Sequence, residues 1–284
     1  MSHPFDESFR RRLEVLKRIV ARALAGRGGG GRAPIAERGG RVEFAEHRAY
    51  TPGDDPRTID WAVYARLETL VVKEFEAPRE AHMLLVVDRS ASMESFGKAD
   101  ASLRLAAALG WLGLAAGARV AVTTSAASTR WLSAPERFPD LLNLLKRDVS
   151  SGAADLQRAV ERAPAAGTGP RTAILIGDFY EAEPFGRALA ALRRAQRTCV
   201  QIISAQELRA PEVAAVSLRD AESGEQMELR LDASVRARFR SEAERFLEDR
   251  AHIARSHGAN FARVDPEDDL VAAVEITLLG RRVS

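Results

Sequence analysis

The chain has little of what covalent or redox chemistry uses. A single cysteine, Cys199, stands among 284 residues, which excludes an internal disulfide and a thiolate metal cluster. Its setting, Thr198-Cys199-Val200-Gln201-Ile202-Ile203, reads as a buried strand. Histidine is sparse, five in all, and His252 and His257 are spaced so that they do not share a helical face. Charge of one sign is missing too: 42 basic residues oppose 40 acidic ones, a formal net charge of +2. A dedicated nucleic-acid binder would present a one-sided field, and the local runs Arg10-Arg11-Arg12 and Arg281-Arg282 read as solvated faces or tails. The longest apolar stretch, Leu105 to Ala118, falls short of the roughly twenty residues that a membrane span needs. The amino terminus is polar and shows no signal peptide, so the expectation is a soluble, cytoplasmic protein. The glycines between Gly26 and Arg32 lack both a preceding strand and the Gly-Lys-Ser/Thr ending of a phosphate loop, which makes them a linker.

What is present is an ordinary globular composition, 46% hydrophobic and 29% charged. Phe9, Leu13, Leu16, Ile19, Val20 and Leu24 recur at helical spacing and predict an amphipathic helix over Phe5 to Leu24. Val42 to Pro78 mixes dense charge with Phe44, Tyr50, Trp61, Tyr64 and Phe75, which suggests a folded appendage holding a short helix over Asp60–Leu67 and a strand over Leu70–Glu76. From Met83 onward strands and helices alternate: Met83–Val87, Lys98–Ala116, Arg119–Thr124, Phe138–Arg147, Asp155–Arg162, Thr172–Ile176, Pro184–Arg197 and Cys199–Ser204. Alternation of this kind implies an α/β fold with a mostly parallel, doubly wound sheet. A hairpin follows, with Val213–Arg219 and Gln226–Leu231 as its arms. Two helices, Val235–His257 and Glu267–Leu279, and a short strand at Asn260–Val264 complete the chain. The expected domains are 1–36, 37–80 and 81–284.

The most informative string is His82-Met83-Leu84-Leu85-Val86-Val87-Asp88-Arg89-Ser90-Ala91-Ser92-Met93. An apolar run ends in one carboxylate and two hydroxyls at alternate positions, at the carboxyl edge where open α/β sheets hold ligands. Hard divalent cations favour such oxygens, although Asp88, Ser90 and Ser92 also suit a plain Asx or Ser turn. Asp178, after the apolar strand Ala173–Ile176, mirrors Asp88 as a ligand or a turn cap. Asp155 is most simply a helix cap and a weaker ligand candidate. No lysine stands at a comparable strand end, so a bound phosphate would lack its usual counter-ion.

The order strand, Asp-x-Ser-x-Ser, helix, then a small-residue loop ending in Asp155, then strand and Asp178, resembles a von Willebrand factor A domain with its metal-ion-dependent adhesion site. The resemblance implies that the two serines ligate magnesium directly while the aspartates hold coordinated waters. It also implies a threonine just before the middle Asp, where this chain has Ala154. Arg48, Tyr50, Gly53, Asp54, Arg57, Ile59, Asp60 and Trp61, followed by Ala65-Arg66, Leu70, Val72-Lys73 and Phe75-Glu76, resemble the bacterial family called domain of unknown function 58. Its members carry an A-type domain and are often encoded beside a MoxR-type AAA+ ATPase.

The resemblance implies a non-enzymatic protein-binding module, an adaptor or co-chaperone of a MoxR-type ATPase or of its client. Its cation would be Mg2+ or Mn2+, weakly bound because Ala154 offers no oxygen. A scaffold whose metal site has decayed is the first alternative. A magnesium-dependent phosphohydrolase is the second, disfavoured because Ser90 stands where an acid/base carboxyl is needed. Arg48, Asp54, Arg57 and Asp60 are expected to form arginine–carboxylate pairs that tie the appendage to the main domain, with docking as the other role, and Trp61 is expected to anchor that packing.

Overall fold

The computed structural model describes residues 5–25, 43–76, 81–147, 155–165, 169–219 and 226–279. The chain divides into two compact units, residues 38–80 and the remainder.

The larger unit is built on five parallel strands: β3 (His82–Val87), β4 (Arg119–Thr123), β5 (Thr172–Gly177), β6 (Gln196–Ile202) and β9 (Asn260–Val264). Their order across the sheet is β4-β3-β5-β6-β9, with parallel register throughout. The expected α/β architecture with a parallel central sheet is what forms. Side chains alternate along a strand, and the burial follows suit. Met83, Leu85 and Val87 enter one core, with α1 (Glu7–Ala25), α3 (Lys98–Ala115), α4 (Phe138–Arg147) and α8 (Leu270–Leu279). Leu84 and Val86 enter the other, with α5 (Leu156–Glu161), α6 (Ala182–Ala191) and α7 (Ala233–Ser256). Phe9, Leu13 and Leu16 of α1 are buried in the first core, and α1 packs on α3 and α8.

Two boundaries differ from the sequence reading, one for a tertiary and one for a local reason. Arg193–Arg197 contains good helix formers, yet α6 stops at Ala191, because Gln196 and Arg197 pair with Thr172 and Ala173 of β5. Tertiary pairing overrides propensity here. The last helix begins at Leu270 rather than Glu267. Asp265 Oδ1 accepts from Glu267 N, Asp268 Oδ2 from Asp265 N and Asp269 Oδ2 from Val271 N, so an Asx-type turn precedes the first helical residue. Ser128–Leu132 runs antiparallel beside β4, with bridges from Thr123 to Ser128 and from Val120 to Leu132, and Thr129 N donates to Val122 O. The C-terminal ribbon forms as expected, with β7 (Ala215–Arg219) antiparallel to β8 (Gln226–Arg230). Asp232 caps α7 through the amides of Ser234 and Val235.

The smaller unit is an antiparallel pair, β1 (Glu43–Ala49) and β2 (Val71–Glu76), with α2 (Trp61–Leu67) between them. Within it, Arg48 and Asp54 form an arginine–carboxylate pair of the expected kind. Arg48 Nη2 donates to Asp54 Oδ1 at 2.8 Å, and Asp54 Oδ2 accepts from Thr51 N and Oγ1, so this pair braces a turn of its own unit. Asp60 takes His47 Nε2 at 3.0 Å and caps α2 through Ala62 N and Val63 N. Arg57 is exposed, with its amide donating to Asp55 Oδ1. Tyr50 pairs with Leu70 through its amide. Trp61 is no buried anchor: it is 59% exposed and meets Tyr64 edge-on.

Among the described residues, no helix is long and apolar enough to cross a membrane.

Candidate functional site

In sequence order, the strands of the large sheet run second, first, third, fourth, fifth. The order reverses between β3 and β5, and a crevice opens there because the connections leave in opposite directions. Asp88 follows β3 and Asp178 follows β5, so both acids stand at that switch point. Asp88 N donates to Ile176 O at 2.8 Å, which carries the β3–β5 ladder one step past the end of β3.

The rim is polar and nearly closed to solvent. Asp88, Ser90 and Asp178 are 3%, 1% and 0% exposed, and Ser92 is half-buried. Asp88 Oδ1 accepts from Ser90 N at 2.9 Å, the Asx turn that its position foretold. A 3₁₀ turn over Ala91–Glu94 follows. It brings Ser92 Oγ to 2.9 Å from Ser90 Oγ and to 2.8 Å from Asp178 Oδ2. Four of the five residues proposed as ligands therefore meet in one hydrogen-bonded row. Gly177 makes the approach possible: a Cβ there would lie 2.6 Å from Asp88 Cβ and 2.8 Å from Asp88 Oδ2.

The fifth, Asp155, is occupied elsewhere. Its Oδ1 accepts from Arg158 N at 2.8 Å, capping α5. Among the described residues, no group of three or more His, Cys, Asp or Glu side chains could hold a metal. Ser150, Ser151 and Ala154 lie outside the described residues.

The structure also places a cation that sequence reasoning missed. Lys98, the first residue of α3, is fully buried and its Nζ lies 3.0 Å from Asp178 Oδ2. The same ammonium donates to Glu207 Oε1 at 2.6 Å and sits 4.8 Å from the centre of the Tyr180 ring. Tyr180 OH donates to Glu207 Oε1 at 2.9 Å, and Glu207 Oε2 accepts from Ser204 N. No lysine stands at a strand end, as expected, yet this one reaches the rim from the start of α3. The phosphohydrolase reading gains nothing from it, because this ammonium is sealed from solvent and aimed at two carboxylates.

Phe179 holds φ at 57°, in the left-handed region that a bulky residue seldom adopts. Its ring is buried and stacked on Phe185 at 4.3 Å, packing that fixes the turn between Asp178 and Tyr180. Gln201 Nε2 donates to the carbonyl of Asp178 at 3.1 Å and receives Arg263 Nε on its oxygen.

Electrostatically the rim is short of positive charge. Burial, and then the neighbouring Asp178, push the Asp88 carboxyl up from 3.8 to about 7. Asp88 Oδ2 is buried with no hydrogen-bond partner among the described residues, where such atoms are nearly always satisfied. A partnerless carboxylate oxygen beside two hydroxyls and a second carboxylate fits a hard divalent cation. An open groove of about 600 Å3 lined by Ser128, Arg130, Arg137 and Arg147 includes none of the rim residues. Its Arg137 already pairs with Asp140. The rim's chemistry outweighs the groove's size.

Comparison with known proteins agrees with the family resemblance drawn from Arg48 to Glu76. The family model described as "Protein of unknown function DUF58" matches residues 46–249. The chain belongs to the DUF58 family. This DUF58 chain is 31% identical over 255 residues to uncharacterized proteins Rv1480 and Mb1516, of Mycobacterium tuberculosis and Mycobacterium bovis, covering 84% of its own length and 80% of theirs. Among solved structures it is similar to the conserved hypothetical protein BatB from Bacteroides thetaiotaomicron, with 15% identity and a TM-score of 0.43. The similarity covers 69% of this chain and 95% of that one. An aerotolerance-related membrane protein from Bacteroides fragilis gives 14% identity and a TM-score of 0.41, covering 69% and 96%.

Proposed function

We propose that this DUF58 protein is a non-enzymatic binding module, von Willebrand factor A-like in its large unit, whose rim receives an acidic side chain from a protein partner. The observation that carries this reading is the convergence of Asp88, Ser90, Ser92 and Asp178 at the β3–β5 switch point, with Asp88 Oδ2 left unpartnered. Asp88, Ser90 and Ser92 would hold a magnesium or manganese ion, with Asp178 supporting Ser92. When bound, the ion supplies the positive charge that makes an incoming carboxylate welcome at an acidic rim. The chain's own residues do the rest. The Ser90 amide fixes the rotamer of Asp88, Asp178 orients the Ser92 hydroxyl, and buried surroundings keep competing water out.

The family resemblance supplies the partner, a MoxR-type AAA+ ATPase or a client passed to it. The test is binding of the purified chain to the MoxR-type ATPase of the same genome, with magnesium and with chelator. Magnesium-dependent capture that vanishes in Asp88→Ala, with the circular dichroism of the sheet unchanged, is expected. Equal capture by Asp88→Ala, or capture indifferent to chelator, refutes the reading.

A further inference from the structure

Lysine is almost never fully buried unless paired, and a cation at a helix amino terminus opposes the helix dipole. Lys98 does both, as the wholly buried first residue of α3. Its placement is explained by its two acceptors, Asp178 Oδ2 and Glu207 Oε1, which arrive from the loops after β5 and β6. Asp178 Oδ2 thus receives two donors, Lys98 Nζ and Ser92 Oγ, and its lone pairs are filled. Asp178 Oδ1 has only the long 3.4 Å contact from Tyr180 N. Glu207 is committed through both oxygens, to Lys98 and Tyr180 on one side and to Ser204 N on the other. Of the three carboxylates in the cluster, Asp88 alone keeps a buried oxygen without a partner among the described residues.

We infer that Lys98 is a resident cation of the rim: it occupies Asp178, confines any added divalent cation to the Asp88–Ser90–Ser92 side, and sets that cation's affinity low. The inference rests on the cation reading of the rim given above. It assigns the weak binding to a charge already in place, independent of Ala154.

Calorimetric titration with MnCl2 tests it on the full chain in three variants. Lys98→Met removes the charge. Lys98→Met with Glu207→Met removes the cation together with one of its two carboxylates and leaves the net charge of the cluster unaltered, and circular dichroism checks that each variant is folded. Lys98→Arg keeps the charge. Lys98→Met should bind manganese about tenfold more tightly than the native chain, or more, because one unit charge near a dication has that effect even at water-like permittivity; the double variant should gain less, since it frees Asp178 but loses a carboxylate with the lysine. Lys98→Arg should bind as the native chain does. Equal affinity in the native chain and in every folded methionine variant overturns the role of Lys98 and leaves the rim a cation site. No manganese binding by any folded variant overturns the cation reading itself, and the inference with it.

Discussion

Gly177→Ala is the most direct probe of how the rim is assembled. Gly177 does not have a positive φ, so conformational freedom is not its reason for being there. Space is. An alanine Cβ would lie 2.6, 2.8 and 3.2 Å from Cβ, Oδ2 and Cγ of Asp88, inside the distance that non-bonded carbons tolerate. Neither strand can easily yield, since Asp88 N is tied to Ile176 O at 2.8 Å and β5 is flanked by β3 and β6. The overpacking should destabilise the large unit by about 1–3 kcal/mol, less the few tenths that alanine gains over glycine in the unfolded chain. That is a fall in midpoint temperature of roughly 2–10 °C for a domain of this size. Denaturation followed by far-ultraviolet circular dichroism measures it. The decisive arm is a double-mutant cycle with Asp88→Gly, which deletes all three clashing atoms. In that background Gly177→Ala should cost less by about 1 kcal/mol or more, since contacting residues couple. Additive effects, or a Gly177→Ala midpoint equal to the native one, would refute the close approach on which the rim's geometry depends.

Three further outcomes follow from single residues. Asp155→Ala should lose about 0.5–2 kcal/mol of stability as an uncapped helix does, while Asp155→Asn keeps it and neither alters manganese affinity in calorimetry; loss of affinity in Asp155→Asn would return this residue to the ligand set. The Arg48 guanidinium and the Thr51 amide hold Asp54 down from 3.8 to about 2, so its stabilisation of the turn is complete above its unfolded value and lost as pH falls through about 2. In NMR spectra the residue 43–76 signals should persist to about pH 3 in the native chain and be already perturbed at neutral pH in Asp54→Asn. Burial pushes the Cys199 thiol up to about 12, so an alkylating reagent should leave the folded protein untouched at pH 8 and label it in denaturant; fast labelling of the native chain would contradict the packing of β6.

How much of this was legible in the sequence depended on the range of the contacts involved. Met83–Val87 announced a buried strand by itself, and the structure sorts it by parity, with Leu84 and Val86 in one core and Leu85 and Val87 in the other. Asp88 was visible because an acid ends that run, and Asp178 because it repeats the pattern. β1 was missed: Glu43–Ala49 alternates too weakly in apolar and charged residues to signal a strand, and its pairing with β2 is what makes it one. Lys98 was legible only as the start of α3. Its burial comes from Asp178 and Glu207, 80 and 109 residues further along, and no local pattern carries that. Glu207 was equally silent, one more acid in a turn after β6.

The two failures share a physical origin with the success. Parallel strands must all finish at the same rim, so acids placed just beyond two adjacent strands are brought together whether or not the local sequence favours it. Two carboxylates in a dry crevice repel, and the fold must answer with positive charge. Lys98 is that answer for Asp178 and Glu207, supplied from the helix that leaves β3. Nothing among the described residues answers for Asp88 Oδ2, which the strand register holds against Gly177 and away from any donor. A site meant only to be stable would have an amide or hydroxyl aimed at that oxygen. That bare oxygen is why the proposed cation is placed beside Asp88 and not beside Asp178, whose Oδ2 already holds Lys98 and Ser92.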